Sequence, residues 1–169
     1  MHQFANDSEE QKQQYIKDLK LFESFMKDFG YDIYLIYGTL LGAIREKDFI
    51  PHDNDIDIAY ISKYQDEVQV LKEKEEIKHY LTYKQMLRRK DTNGIKIKIN
   101  NTHLDMWVSY IQDDKIYLCP HHIIEKDIIL PFQSIIFRTE TFYIPNKSKE
   151  LLKIFYDNWI IPKQTKYEK

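Results

Sequence analysis

Asp53, Asp55 and Asp57 stand at alternate positions in a stretch otherwise rich in apolar residues, with Ile50 before them and Ile56, Ile58, Tyr60 and Ile61 between and after them. A carboxylate drawn into core-like surroundings without a partner is costly, so a fold that keeps three here must gather them at an edge where positive charge answers them. Residues two apart on an extended chain point the same way. Asp55 and Asp57 are therefore expected to face one side at the mouth of a strand, with Cβ atoms roughly 7 Å apart. Such a pair suits one shared Mg²⁺ or Mn²⁺ ion, or two flanking ones.

The flanking sequence supports that reading over a solvated acidic turn. Ile33 to Tyr37 is short, apolar and β-prone, Gly38 follows it, and Thr39 to Arg45 has the small and aliphatic residues of a helical turn packed behind a strand. The local order is strand, glycine turn, helix, loop, acidic strand. An EF-hand loop also starts with acids at its first, third and fifth positions, but needs glycine sixth and glutamate twelfth. This chain has Ile58 and Tyr64 there, which excludes calcium sensing of that kind.

At 169 residues, with 43% apolar and 14% aromatic residues, the chain is sized for one compact domain over residues 1–169 with ample core material. Lys and Arg number 25 against 27 Asp and Glu, so no basic field marks it for nucleic acid. One cysteine, Cys119, excludes an internal disulfide, fits a reducing compartment and lacks sequence neighbours that would make it a nucleophile. The N-terminus has no signal-peptide pattern and no segment reaches 18 uninterrupted apolar residues. The expectation is a cytoplasmic protein without a transmembrane segment.

Ser8 and Gln11 form a capping-box pattern ahead of Tyr15, Ile16, Leu19, Phe22, Phe25, Met26 and Phe29, which predicts an amphipathic helix over about 8–29 that Gly30 stops. Residues 62–79 predict an exposed helix with Val68 and Leu71 inward. Asp91 to Gly94 reads as the turn of a hairpin between Leu81–Arg88 and Ile95–Ile99, and Asn100 to His103 as another turn. Leu104 to Tyr110 then reads as a strand, and Asp113-Asp114 leads into a further hairpin strand at Lys115 to Cys119. Ile128 to Phe132 and Thr141 to Ile144 read as extended pieces around a loop. Ser148 opens a last helix with Leu151, Leu152, Phe155, Tyr156 and Trp159 inward, closed by Pro162.

Asp105 interrupts Leu104, Met106, Trp107 and Val108, and a carboxylate there needs a reason. It is the natural fourth acid of the cluster, as metal ligand or as general base toward an acceptor hydroxyl. Gly38 and Thr39 are candidates to bring backbone amides to a phosphate, and Gly42 to let the following helix pack tightly. Arg45 is a candidate for a two-pronged phosphate contact, with Lys47 as a second charge. Lys96 and Lys98 read as a solvated strand face and His121-His122 as a surface loop. His52 is open between a partner of the acids and a surface residue.

The run Gly38-Thr39-Leu40-Leu41-Gly42-Ala43-Ile44-Arg45, then Phe49-Ile50-Pro51 and Asp53 to Ile58, then Leu104-Asp105-Met106-Trp107, resembles the LicD family, which includes bacterial phosphorylcholine transferases and, more distantly, the fukutin proteins. Leu130-Pro131-Phe132, Ile144-Pro145 and Leu151 to Pro162 resemble its closing segments. The resemblance implies an α+β, nucleotidyltransferase-like fold: a small mixed β-sheet flanked by helices. It also implies divalent metal (Mg²⁺ or Mn²⁺) on Asp53, Asp55, Asp57 and Asp105, with Gly38, Thr39 and Arg45 toward the donor; Lys47 is added on its charge alone. The implied reaction moves a substituted phosphate from a CDP-linked donor such as CDP-choline to a sugar hydroxyl of a glycan or glycolipid acceptor. That is lipopolysaccharide or capsule modification, with peripheral contact at the inner face of the membrane. Glu46, Asp48, His52 and Asn54 stand where the family usually has histidine, glycine, tryptophan and aspartate, and Glu46 and Asp48 add negative charge beside the phosphate site. Transfer of a whole nucleotide to a small molecule or protein, and an inactive binding module of the same fold, are the alternatives. A glycosyltransferase using Asp-x-Asp is disfavoured because the acids come so early.

Overall fold

The computed structural model describes residues 3–89, 94–118 and 121–162. Helix α1 runs Glu9–Asp28. The Ser8 hydroxyl accepts from the Gln11 backbone N–H at 3.2 Å while the Gln11 side chain accepts from the Ser8 N–H at 2.8 Å, which closes the capping box. Tyr15, Ile16, Leu19, Phe22 and Met26 are buried along one stripe. Phe25 and Phe29 sit beside it and pack on Tyr80, at 5.1 and 4.7 Å between ring centroids.

The strands are β1 (Ile33–Leu35), β2 (Ile56–Ile61), β3 (Leu87–Arg89), β4 (Ile95–Ile99), β5 (Thr102–Gln112), β6 (Lys115–Leu118), β7 (His122–Glu125), β8 (Gln133–Phe137) and β9 (Glu140–Ile144). They form one mixed sheet in the order β3-β4-β5-β2-β1-β9-β8, with β6 and β7 extending from β5. The β2–β5 and β1–β9 pairs are parallel, and the remaining pairs are antiparallel. This is the α+β architecture with a mixed sheet flanked by helices that the resemblance implies.

Alternation along β5 divides the molecule into layers. Thr102 donates to Asp18 of α1 at 2.5 Å, and Leu104, Met106 and Val108 lie buried on that same face. Tyr60 of β2 reaches Glu73 of α3 (Glu67–Tyr83) from this side. Asp105 and Trp107 point the other way. There Trp107 meets Tyr37 of α2 (Tyr37–Leu41) edge-on at 5.4 Å, and Tyr37 meets Phe155 of α5 (Ser148–Phe155) at 4.6 Å. Asp18 also takes the Asn100 amide at 2.8 Å, so the buried acid has its hydrogen bonds and pins α1 to the β4–β5 hairpin.

Several boundaries differ from the sequence reading, each for a local reason. Helix α3 starts after its cap Asp66, whose carboxylate accepts from Gln69 N–H at 3.1 Å, and turns Val70, Ile77 and Leu81 inward. Val68 and Leu71 instead face out, 60% and 52% exposed. Their stripe continues through Glu75 and Lys78 and so cannot stay buried, whereas the Val70 stripe ends on Ile77 and Leu81 and carries Glu73, which accepts from the buried Tyr31 hydroxyl at 2.5 Å. Because α3 runs on to Tyr83, the strand expected over Leu81–Arg88 shrinks to Leu87–Arg89; Asp91 to Asn93 of the expected turn lie outside the described residues. The next turn is only Asn100-Asn101, with His103 already in β5.

The expected extended piece at Ile128–Phe132 is instead one helical turn, α4 (Lys126–Ile129). It ends where Pro131 holds Leu130 extended. Helix α5 stops at Phe155 rather than near Pro162, since Tyr156 turns extended, yet Trp159 still folds back into the core. Among the described residues no helix is long and apolar enough to cross a membrane.

The assignment of α3's inner face is directly testable by urea unfolding. Ile77→Ala should cost about 2–5 kcal/mol, and Leu71→Ala should stay within about 0.5 kcal/mol. Equal costs would contradict this packing.

Candidate active site and metal centre

The site is assembled where β1 gives way to α2. Ile36 is extended and Tyr37 has φ 46°, and this abrupt turn aims the backbone N–H of Gly38 at the next strand. That N–H donates to Asp57 Oδ2 at 3.2 Å, and the buried Thr39 hydroxyl accepts from the Asp57 N–H at 2.8 Å. A Cβ on Gly38 would lie 2.4 Å from Asp53 Oδ2, so only glycine lets that carboxylate close in. Gly42, in the π-helical turn Gly42–Glu46 that continues α2, makes room for the returning chain rather than for a following helix. Its Cβ would meet the Asp48 carbonyl oxygen at 2.6 Å.

The loop that delivers the acids is clamped from the N-terminus. Phe4 N–H donates to Asp53 O at 2.9 Å and Ala5 N–H to Pro51 O at 2.7 Å. The Phe4 ring packs on Phe49 at 4.6 Å. Asp48, expected to add negative charge to the phosphate site, is answered instead by Lys12 at 3.2 Å and by Arg138. Burial works against its charged form, but these partners hold its carboxyl below the usual range.

Asp53, Asp55 and Asp57 each offer a carboxylate oxygen, and the three lie within 4.8 Å of one another. Asp105 stands directly beside Asp57 in the β2–β5 ladder, and Lys96 of β4 stands directly across from Asp105. The Lys96 ammonium is bonded to Asp105 Oδ2, which overturns its reading as part of a solvated face. Lys98, two residues on, is the exposed one. Trp107 donates its indole N–H to Asp57 Oδ1 at 3.1 Å, so both oxygens of Asp57 are fixed. Asp105 Oδ1 is buried without a hydrogen-bond donor among the described residues. The sequence alone marks neither Lys96 nor Trp107 as a partner of these acids.

This crowding shifts the acids upward. Burial, then the charge of Asp55, pushes Asp57 up to about 8. Asp105 is pushed up to about 6 by burial, which the Lys96 contact only partly offsets. Asp53 and Asp55 are raised too, by burial first and then by their acidic neighbours. Carboxylates held this close, in an all-oxygen set, fit a hard divalent cation.

Beside Asp53 opens a hollow of about 310 Å³ lined by Gly38, Arg45, His52, Tyr156, Trp159 and others. Arg45 donates to Glu46 at 2.6 Å and to the Trp159 carbonyl at 2.9 Å, which fixes its guanidinium at the wall. His52 is largely exposed at the rim. Burial, then the charges of Asp57 and Asp53, raises the Tyr156 hydroxyl. Lys47 lines a different hollow, with Ile135, Ile144 and Lys147. His121 is exposed, whereas His122 packs on Phe155 at 4.8 Å. Cys119 lies outside the described residues.

The raised acids predict an inverted pH dependence for the metal-free protein. Where folded-state pKa values exceed unfolded ones, the folded chain holds more protons, so stability falls as pH rises through the window between about 4 and 8. In EDTA the melting temperature should rise on going from pH 8 to pH 5.5, and Mn²⁺ at pH 8 should restore it. A melting temperature that falls on acidification over this range would contradict the crowding.

No curated protein matches the chain at a significant level. A family description does: LicD/FKTN/FKRP, nucleotidyltransferase domain, over residues 30–147, which takes in the Gly38 turn, all four acids and Lys96. Members are generally transferases, of phosphotransferase type on glycans, and commonly depend on a divalent metal. With most of its length matched, this chain belongs to the LicD/FKTN/FKRP family.

Proposed function

We propose that this protein transfers a substituted phosphate, of the phosphocholine or alditol phosphate type, from a CDP-linked donor to a sugar hydroxyl of a glycan or glycolipid precursor. The observation that carries this reading is that Asp105, from its own strand, stands beside Asp57 and against Asp55 at the close-set carboxylates of Asp53, Asp55 and Asp57. Family membership supplies the reaction class.

Asp53, Asp55 and Asp57 are the residues that would hold Mg²⁺ or Mn²⁺. When bound, the ion neutralises phosphate charge and orients the donor. Gly38 and Thr39 act through Asp57, the first on its carboxylate and the second on its backbone. Arg45, fixed at the wall of the hollow, contacts the donor's phosphates. Asp105, with one oxygen held by Lys96 and the other without a donor, takes the proton of the attacking hydroxyl. The acceptor oxygen forms its bond to the phosphorus that carries the head group, the bond from that phosphorus to the bridging oxygen breaks, and cytidine monophosphate leaves.

The test is a panel of CDP-linked donors with Mn²⁺ and a sugar acceptor, read as cytidine monophosphate release. Asp57→Asn should abolish turnover, and Asp105→Asn should lower kcat by about 10²–10⁴-fold. Arg45→Lys should raise the donor KM. Label in the phosphate next to cytidine should leave with the nucleotide; its appearance on the acceptor would replace this reading by nucleotidyl transfer. Undiminished turnover in both aspartate variants would overturn the assignment.

A further inference from the structure

The β4–β5 register sets Lys96 opposite Asp105, and its ammonium both binds Asp105 Oδ2 and lies 5.3 Å from the centre of the Trp107 ring. That indole is the one that holds Asp57. Side chains of Lys96 and Asp105 are only 12% and 6% exposed, so solvent screens the pair weakly. The other cation at the site, Arg45, is engaged by Glu46 and the Trp159 carbonyl. Asp53, Asp55 and Asp57 are the three carboxylates whose oxygens all lie within 4.8 Å of one another, and Asp105 adjoins them through Asp55.

The positive charge is thus unevenly placed. At one end three carboxylates share a space in which none of them is ion-paired with a side-chain cation among the described residues. At the other the fourth carboxylate already has a positive charge belonging to the chain. Two-ion phosphoryl-transfer sites hold their ions about 3.5–4 Å apart and share carboxylates between them. A second ion drawn onto Asp105 would have to share that carboxylate with the Lys96 ammonium, which already neutralises its charge. Resting on the metal-dependent reading above, we propose that Lys96 is a resident cation of this site, holding Asp105 in place and standing where a second metal ion would bind, so that the chain takes up one divalent ion. Lys96 is then a positioning residue, acting through Asp105.

Mn²⁺ titration followed by electron paramagnetic resonance at pH 8 counts the ions without reference to turnover. Wild type should bind one Mn²⁺ per chain, Lys96→Met should bind a second, and Lys96→Arg, which keeps the charge, should return to one. Circular dichroism melts identify a variant that fails to fold. In that event Lys96→Gln, which keeps a donor but loses the charge, takes the place of Lys96→Met with the same expectation. Two ions on wild type would overturn the proposal while leaving metal dependence standing, and so would a folded neutral variant that binds only one. No Mn²⁺ bound by wild type would overturn the proposed function together with this inference.

Discussion

Mutual repulsion among four carboxylates is the constraint around which this molecule is organised. Asp53, Asp55, Asp57 and Asp105 meet at one place, where burial and like charge raise each of them above the ordinary carboxylate range. A folded chain has little reason to keep such an arrangement for stability, because a buried unpaired charge weakens the folded state. Under the proposed function, a divalent cation would relieve that repulsion. Strained electrostatics of this kind are characteristic of functional sites.

The fold supplies the rigidity that holds the acids against that repulsion. Parallel pairing of β2 with β5 fixes Asp57 beside Asp105, and antiparallel pairing of β4 with β5 brings Lys96 across from it. The Gly38 N–H, the Thr39 hydroxyl and the Trp107 indole then lock Asp57 from three directions. Asp53 sits on the loop before the strand, where its carboxylate accepts from the Asn54 N–H at 3.0 Å and the N-terminal turn at Phe4 and Ala5 contributes backbone hydrogen bonds. The N-terminal segment ahead of the family's matched region therefore bears directly on the site.

Much of this was legible in the sequence because local chemistry and tertiary context agree. The Ser8–Gln11 box, the stripe from Tyr15 to Met26 and the Gly38 turn each state a local rule that the fold keeps. Asp105 was legible as an acid that core-like neighbours do not tolerate unless something answers it. Lys96 was missed because a lysine alternating with isoleucines looks like an ordinary wet strand face. Its partner was hidden by the turn expected over Asn100 to His103, which would set Lys96 opposite Trp107; the shorter turn at Asn100-Asn101 pairs Ile99 with Thr102 and so Lys96 with Asp105. The inner face of α3 was misread because Val68 and Leu71 are apolar, while the stripe that wins carries Glu73 and Lys74 inside it. Burial of Glu73 depends on Tyr31, a partner distant in sequence that no helical periodicity reveals.

The central claim is that the Asp53–Asp57 triad is a divalent-metal site with Asp105 as its neighbour across the sheet. Anomalous diffraction at the manganese edge from crystals grown with Mn²⁺ and a CDP-linked donor tests it most directly. The account predicts a peak within ligand distance of carboxylate oxygens from all three triad residues, with the donor's phosphates on its open side. A peak elsewhere on the molecule, or none with donor bound, would contradict it.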